Sequence, residues 1–232
     1  VASTIYAYKL NKIFLNPLKN ATNCDECRYF VNGGAKLANC TGNIVPLMLK
    51  FTFAPMKSVI LQTAISTIET EARSVQELTS YIDEGFEKIV HAIHRSKGRL
   101  VISGIGKSAI VAQKIVATLN STGTPALFMH AADAIHGDLG MITAEDVVMI
   151  ISKSGESPEI KVLVPLIRNF GNKLIGMAGN MDSFLAKNAD WVINSSVNKE
   201  ACPNNLAPTS STTAQMVMGD VLAVCLMELN GF

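Results

Sequence analysis

Apolar residues recur at spacings of three and four along Ile68, Ala72, Val75, Leu78, Ile82, Phe86, Ile89, Val90 and Ile93. That is the stripe of an amphipathic helix. Ser58 is placed to cap its start, and Lys97-Gly98 supplies a basic last turn and a glycine stop. The pattern therefore predicts one long helix that runs through Gly85. Beyond it the period changes. Leu100-Val101-Ile102 reads as a short strand closed by Ser103-Gly104-Ile105-Gly106. Helical spacing returns over Lys107 to Ser121, with Ile110, Val111, Ile115, Val116 and Leu119 on one face. Thr122-Gly123-Thr124-Pro125 is a turn, and Ala126 to Met129 a second strand. Asp146 to Ile151 predicts a third strand, apolar enough to be covered on both faces. Ser157-Pro158 opens a helix, serine at N-cap and proline at N1. Strands over Leu174–Met177 and Trp191–Ile193 flank a short helix over Phe184–Lys187. Val197 to Pro208 is a loop, and a last helix runs from Ser210 to Leu229.

Strands that alternate with helices across short loops make βαβ units. Right-handed crossovers then give an α/β fold with a parallel sheet covered by helices on both faces. In such a sheet ligands bind beyond the carboxyl ends of the strands, where the strand order reverses. Composition narrows the possibilities. The 232 residues are 48% hydrophobic and 17% charged, enough for one sizeable core or one domain with an appendage. A net charge of +1 gives no electrostatic footprint for nucleic acid or an anionic membrane. No apolar run is read as approaching the ~20 residues of a membrane span.

The charge is unevenly spread. Residues 1–55 carry six basic and two acidic residues, net +4, leaving 14 basic and 17 acidic residues, net −3, over 56–232. Three of the five cysteines (Cys24, Cys27, Cys40) also lie in the first segment. Cys24-x-x-Cys27 is half of a zinc-ribbon pattern, but no fourth ligand follows Cys40 at ligand spacing, so no metal is expected. Met56, directly before the helix opening, is the better start, and residues 1–55 read as an extension outside the fold. Cys202 and Cys225 are distant in sequence, no secretory pattern is found, and the cytoplasm is the expected location.

The strand ends hold the candidate chemistry. Gly104-x-Gly106-Lys107-Ser108 follows the first strand. Its glycines allow a ligand close to the backbone, and the helix beginning at once offers free N–H groups to an anion. It fits neither a dinucleotide fingerprint with its acidic ribose partner nor a Walker loop. Ser152-Lys153-Ser154-Gly155-Glu156-Ser157-Pro158 follows the third strand. Three hydroxyls, a glycine and a helix N-terminus form a phosphate cradle that needs no metal, whereas capping needs only one serine. A second hydroxyl cluster, Thr209-Ser210-Ser211-Thr212-Thr213, precedes the last helix. His136 lies among Gly137, Asp138 and a strand end, a setting for a functional imidazole.

Together these residues resemble the sugar isomerase (SIS) domain family, whose phosphosugar signature is the Ser-x-Ser-Gly-Glu-Ser loop. The runs Ala134 to Met141, Glu200-Ala201-Cys202-Pro203 and Leu206 to Ala214 point within it to the arabinose-5-phosphate isomerase branch. The resemblance covers 56–232. It implies a three-layer sandwich on a five-stranded parallel flavodoxin-like sheet, a homo-tetramer, and interconversion of D-ribulose 5-phosphate and D-arabinose 5-phosphate for the eight-carbon sugar Kdo of capsule and lipopolysaccharide. No cofactor is implied. Lys107, His136 and Glu159 fall on its catalytic positions; Gly106, Ser108, Ser152, Ser154, Ser157, Thr209, Ser210, Ser211, Thr212 and Thr213 fall on sugar- and phosphate-binding positions. Lys153 stands where asparagine is common. The family's downstream Ser-His-Pro-Gly-Gly segment, with a further catalytic histidine, and its CBS pair have no match before Phe232. A non-catalytic phosphosugar sensor and an isomerase of another sugar phosphate are the alternatives.

Overall fold

The computed structural model describes residues 58–231 and three short strands upstream, β1 (Arg28–Val31), β2 (Gly34–Ala38) and β3 (Ile44–Val45). The chain divides into two compact units, Val1–Met56 and Lys57–Phe232. In the first, β2 pairs antiparallel with both β1 and β3. Cys24, Cys27 and Cys40 lie outside the described residues. The second unit opens with α1 (Val59–Glu77), a 3₁₀ turn over Leu78–Tyr81 and α2 (Glu84–His94). The single long helix read from the apolar stripe is therefore broken. Asp83 starts a new helix, its side chain accepting from the Phe86 N–H at 3.0 Å, with Glu84 and Glu87 in the first turn. Ser58 holds the N-cap position of α1 without capping through its side chain.

There follow β4 (Leu100–Gly104), α3 (Lys107–Ser121), β5 (Ala126–His130), α4 (Ala131–Ile135), β6 (Val147–Ser152), α5 (Pro158–Phe170), β7 (Lys173–Ala178), α6 (Phe184–Asn188), β8 (Trp191–Asn194) and α7 (Ser210–Asn230). The five strands form one parallel sheet in the order β5-β4-β6-β7-β8. Counted along this unit the order is 2-1-3-4-5, the flavodoxin-like arrangement. Every residue of β4 and β6 is buried, as central strands covered on both faces must be. One core layer joins alternate strand residues (Ile102, Met149, Ile175) to Ile89, Ile115 and Leu222 of α2, α3 and α7. The other joins Val101, Val148 and Leu174 to Ala134, Leu163 and Leu185 of α4, α5 and α6. The three layers of the α/β sandwich follow from these two cores.

α7 runs for 21 residues, with a mean hydropathy of 1.3 in its most apolar window, so one helix does reach the length and composition of a membrane span. The sequence reading missed it because Gln215, Asp220 and Glu228 interrupt the run. Here α7 packs in the core, where Leu222, Ala223 and Leu226 are fully buried. It approaches α3 closely at Gly219, where a Cβ would collide with Cδ1 and Cγ1 of Ile115. Gly219→Leu is expected to cost about 1–3 kcal/mol through overpacking, read as a lower thermal midpoint. An unchanged midpoint would show that the two helices part freely.

Candidate functional site

The strand order reverses between β4 and β6, so the crevice above their carboxyl ends is the expected ligand position. β4 ends at Gly104, where a Cβ would lie 3.0 Å from the Ser108 carbonyl. Only glycine lets α3 start so close to the strand. Gly106, at φ 58°, turns the chain into Lys107. The Lys107 side chain is exposed at this helix N-terminus. Ser108 donates through Oγ to Gln215 Oε1 at 3.1 Å, so it ties α3 to α7.

The loop after β6 is tightly folded. Ser152 is buried, and its Oγ accepts from the Gly155 N–H at 3.0 Å. Ser154 is exposed, and its Oγ accepts from the Glu156 N–H at 3.3 Å. Gly155 has φ 63°, and a Cβ there would collide with Ser183 Oγ. Ser157 occupies the N-cap of α5 but makes no side-chain cap bond. Its hydroxyl is buried without a hydrogen-bond partner among the described residues. Ser103, Ser195 and Ser210 share that condition. A buried hydroxyl without a partner is costly, and its natural complement is an ordered water or a polar ligand. Glu159 lies half-buried in the first turn of α5.

His136 is exposed at the end of α4, its backbone N–H donating to the Asp133 carbonyl at 2.9 Å. Gly137 follows at φ 140°. Thus Lys107, His136 and Glu159 all lie beyond the carboxyl ends of β4, β5 and β6. The cavity lined by His94, Arg99, Thr124 and Asn230 is at the opposite edge, where the strands begin.

The hydroxyl cluster at α7 is organised by a residue that sequence reading left without a role. Glu200 is buried, with a side chain only 1% exposed. Its Oε1 accepts from Lys153 Nζ (2.6 Å) and Ser211 Oγ (2.5 Å). Its Oε2 accepts from the Thr209 N–H (2.7 Å), Thr209 Oγ1 (3.1 Å) and the Ser211 N–H (3.1 Å). Burial pushes this carboxyl up, but the Lys153 ammonium and the Ser211 and Thr209 donors outweigh it and hold the group down at about 2. The other hydroxyls differ. Thr212 Oγ1 donates to the Thr209 carbonyl and Thr213 Oγ1 to Glu71 Oε2 of α1 at 3.0 Å, whereas Ser210 is the unpartnered one. Among the described residues no cluster of His, Cys, Asp or Glu could hold a metal.

Comparison with known proteins agrees with this geometry. The family model of the SIS domain matches residues 92–225. The arabinose 5-phosphate isomerase of Pseudomonas aeruginosa is 50% identical over 172 residues, 74% of this chain and 53% of that protein. A probable arabinose 5-phosphate isomerase of Haemophilus influenzae is 44% identical over 172 residues, 74% of this chain and 51% of its own. The chain thus spans about half the length of these curated relatives. An Escherichia coli CFT073 protein solved in complex with arabinose 5-phosphate superposes with a TM-score of 0.72 at 37% identity, covering 75% of this chain and 92% of that one. The flavodoxin-like sheet, the serine loop at its switch point and these relatives lead to one conclusion: the chain belongs to the SIS domain family.

Proposed function

We propose that this chain carries the isomerase domain of an enzyme that interconverts D-ribulose 5-phosphate and D-arabinose 5-phosphate, on the route to Kdo for capsule and lipopolysaccharide. The observation that carries the reading is the Ser157 hydroxyl, buried and unpartnered at the N-terminus of α5 within the serine loop. If that serine were only a cap, its oxygen would accept from the helix's own N–H groups. A phosphate at this place would accept a hydrogen bond from the hydroxyl and meet the positive end of α5. The names of the relatives, one an arabinose 5-phosphate isomerase and the other a probable one, support the sugar.

The reaction moves a proton between C1 and C2 through an enediol, so it needs a base at carbon and a donor at oxygen. Glu159 and His136 are the candidates for proton transfer. Lys107, at the N-terminus of α3, is placed to steady negative charge on the sugar oxygen. No cofactor or metal enters this chemistry, and the partner is a sugar phosphate rather than nucleic acid or membrane. The expected assembly is a cytoplasmic homo-tetramer. Val59, Ile60, Leu61 and Ile68 of α1, all more than half exposed, support an interface between copies. Residues 1–55 are read as lying outside the catalytic fold, in keeping with the division of the chain after Met56.

A coupled assay on ribulose 5-phosphate, run beside calorimetry with arabinose 5-phosphate, tests the reading. Binding with turnover is expected in the full protein; binding without turnover would favour a sensor, and no binding would end the proposal. The double variant Ser152→Ala, Ser157→Ala is expected to raise KM about tenfold or more, since each serine offers a hydrogen bond to a charged group. Unchanged affinity would remove the serine loop from the site.

A further inference from the structure

The loop after β6 holds a cation that a hydroxyl cradle does not require. Lys153 lies between Ser152 and Ser154, and its ammonium reaches Glu200. The two partners are unequally placed: the lysine side chain is 45% exposed, the carboxylate 1%. Around Glu200 the remaining donors are neutral, from Thr209 and Ser211. In its own loop Lys199 precedes Glu200 and Cys202 lies two residues on, and Glu71 of α1 is bonded to Thr213 of α7. Among the described residues, Lys153 alone forms an ion pair with Glu200.

The lysine's own backbone is fixed as well. The Gly179 N–H donates to the Lys153 carbonyl at 3.1 Å. A Cβ at Gly179 would lie 2.9 Å from that oxygen and 3.3 Å from Lys153 Cγ. The lysine stem therefore lies against a glycine that follows β7. One side chain thus joins the ends of β6 and β7 to the loop between β8 and α7. A carboxylate this deeply buried needs its cation, because an uncompensated charge there either disrupts its donors or takes up a proton. A proton on Glu200 would put a donor where the Thr209 and Ser211 N–H groups need an acceptor.

We propose that Lys153 is a positioning residue: by pairing with Glu200 it fixes the serine loop after β6 against the hydroxyl cluster that opens α7, so that both present one surface to the phosphosugar. For its ligand this rests on the phosphosugar reading above; the ion pair does not.

The test is a cycle of Lys153→Met, Glu200→Gln and the double variant, with Lys153→Arg as the charge-preserving control. Arabinose 5-phosphate affinity is measured by calorimetry at a temperature where all are folded, and thermal midpoints separately. Lys153→Met is expected to weaken binding about tenfold, and Lys153→Arg to restore it to within about threefold. In the double variant the loss should be smaller than the product of the single losses, because a neutral glutamine no longer needs a cation. Altered midpoints with unchanged affinity would reduce Lys153 to a structural role and overturn the proposal. Losses that multiply would mean that the ammonium touches the sugar phosphate directly, and would overturn it too. If the wild-type chain binds no arabinose 5-phosphate, the phosphosugar reading fails on its own. The coupling is then judged by the midpoints of the same cycle, where additive shifts overturn it.

Discussion

Glu200→Ala is expected to lower the unfolding free energy by about 1–3 kcal/mol, the cost of leaving buried donors without their acceptor. The substitution removes the acceptor of the Ser211 hydroxyl and of the Thr209 and Ser211 N–H groups at once, and leaves the Lys153 ammonium to solvent. Both N–H groups belong to the opening of α7, which packs on α3 further along at Gly219. The same carboxylate makes stability depend on pH. Its folded value of about 2 is below its ordinary 4.5, so its contribution is present above pH 4.5 and is lost as pH falls towards 2. A shift of that size corresponds to about 3 kcal/mol. Acid titration of the melting midpoint should therefore show a steeper fall between pH 4.5 and 2 than Glu200→Gln does, the remaining fall coming from Asp146, whose carboxyl, against its burial, Arg99 and Thr143 hold down. Parallel acid profiles in the two chains would show that Glu200 does not set acid stability.

The sheet was legible because its signal is local. Each of β4 to β8 is a short apolar run bounded by glycine, proline or polar residues, and the observed bounds differ from the expected ones by one or two residues. The break between α1 and α2 was not found, since apolar spacing of three and four continues through Leu78 and Ile82. The signal that would have located it is Asp83 ahead of Glu84 and Glu87, an N-cap with acids in the first turn. The five-residue α4 is too short to leave a period in the sequence.

At the site, the glycine turn and the serine loop could be read because both lie next to a strand end. Glu200 could not, although the run containing it stood out by resemblance. Its partners are Lys153, 47 residues earlier, and hydroxyls 9 and 11 residues later. Only the parallel sheet brings the end of β6 beside the loop after β8. The roles within the hydroxyl clusters were equally hidden. Capping was the competing explanation for Ser157, whose hydroxyl makes no cap bond, a detail that no spacing reveals.

The largest catalytic effects should come from Lys107, His136 and Glu159. Each is expected to cost kcat about 10²–10⁴-fold when replaced by alanine, the usual contribution of a positioned acid, base or charge. All three should leave the fold intact, because none lies in the core: Lys107 and His136 are exposed and Glu159 half-buried. The three should differ in kind. Lys107 follows Gly106 at the positive end of α3, so its loss should weaken the transition state more than the ground state and appear in kcat before KM. Glu159 sits in the first turn of α5, directly after the serine loop. Glu159→Gln keeps its size and removes only the base, so it should be nearly as slow as Glu159→Ala if the carboxylate takes the proton. His136 lies beside Gly137, and His136→Asn should tell a hydrogen-bonding role from a proton-transferring one. Single-turnover exchange of the C1 and C2 protons with solvent separates these cases. A variant that binds the sugar yet exchanges no proton has lost the base, whereas one that exchanges the proton but forms no product has lost the group that completes the isomerisation. Exchange at the wild-type rate in all three variants would remove these residues from the reaction.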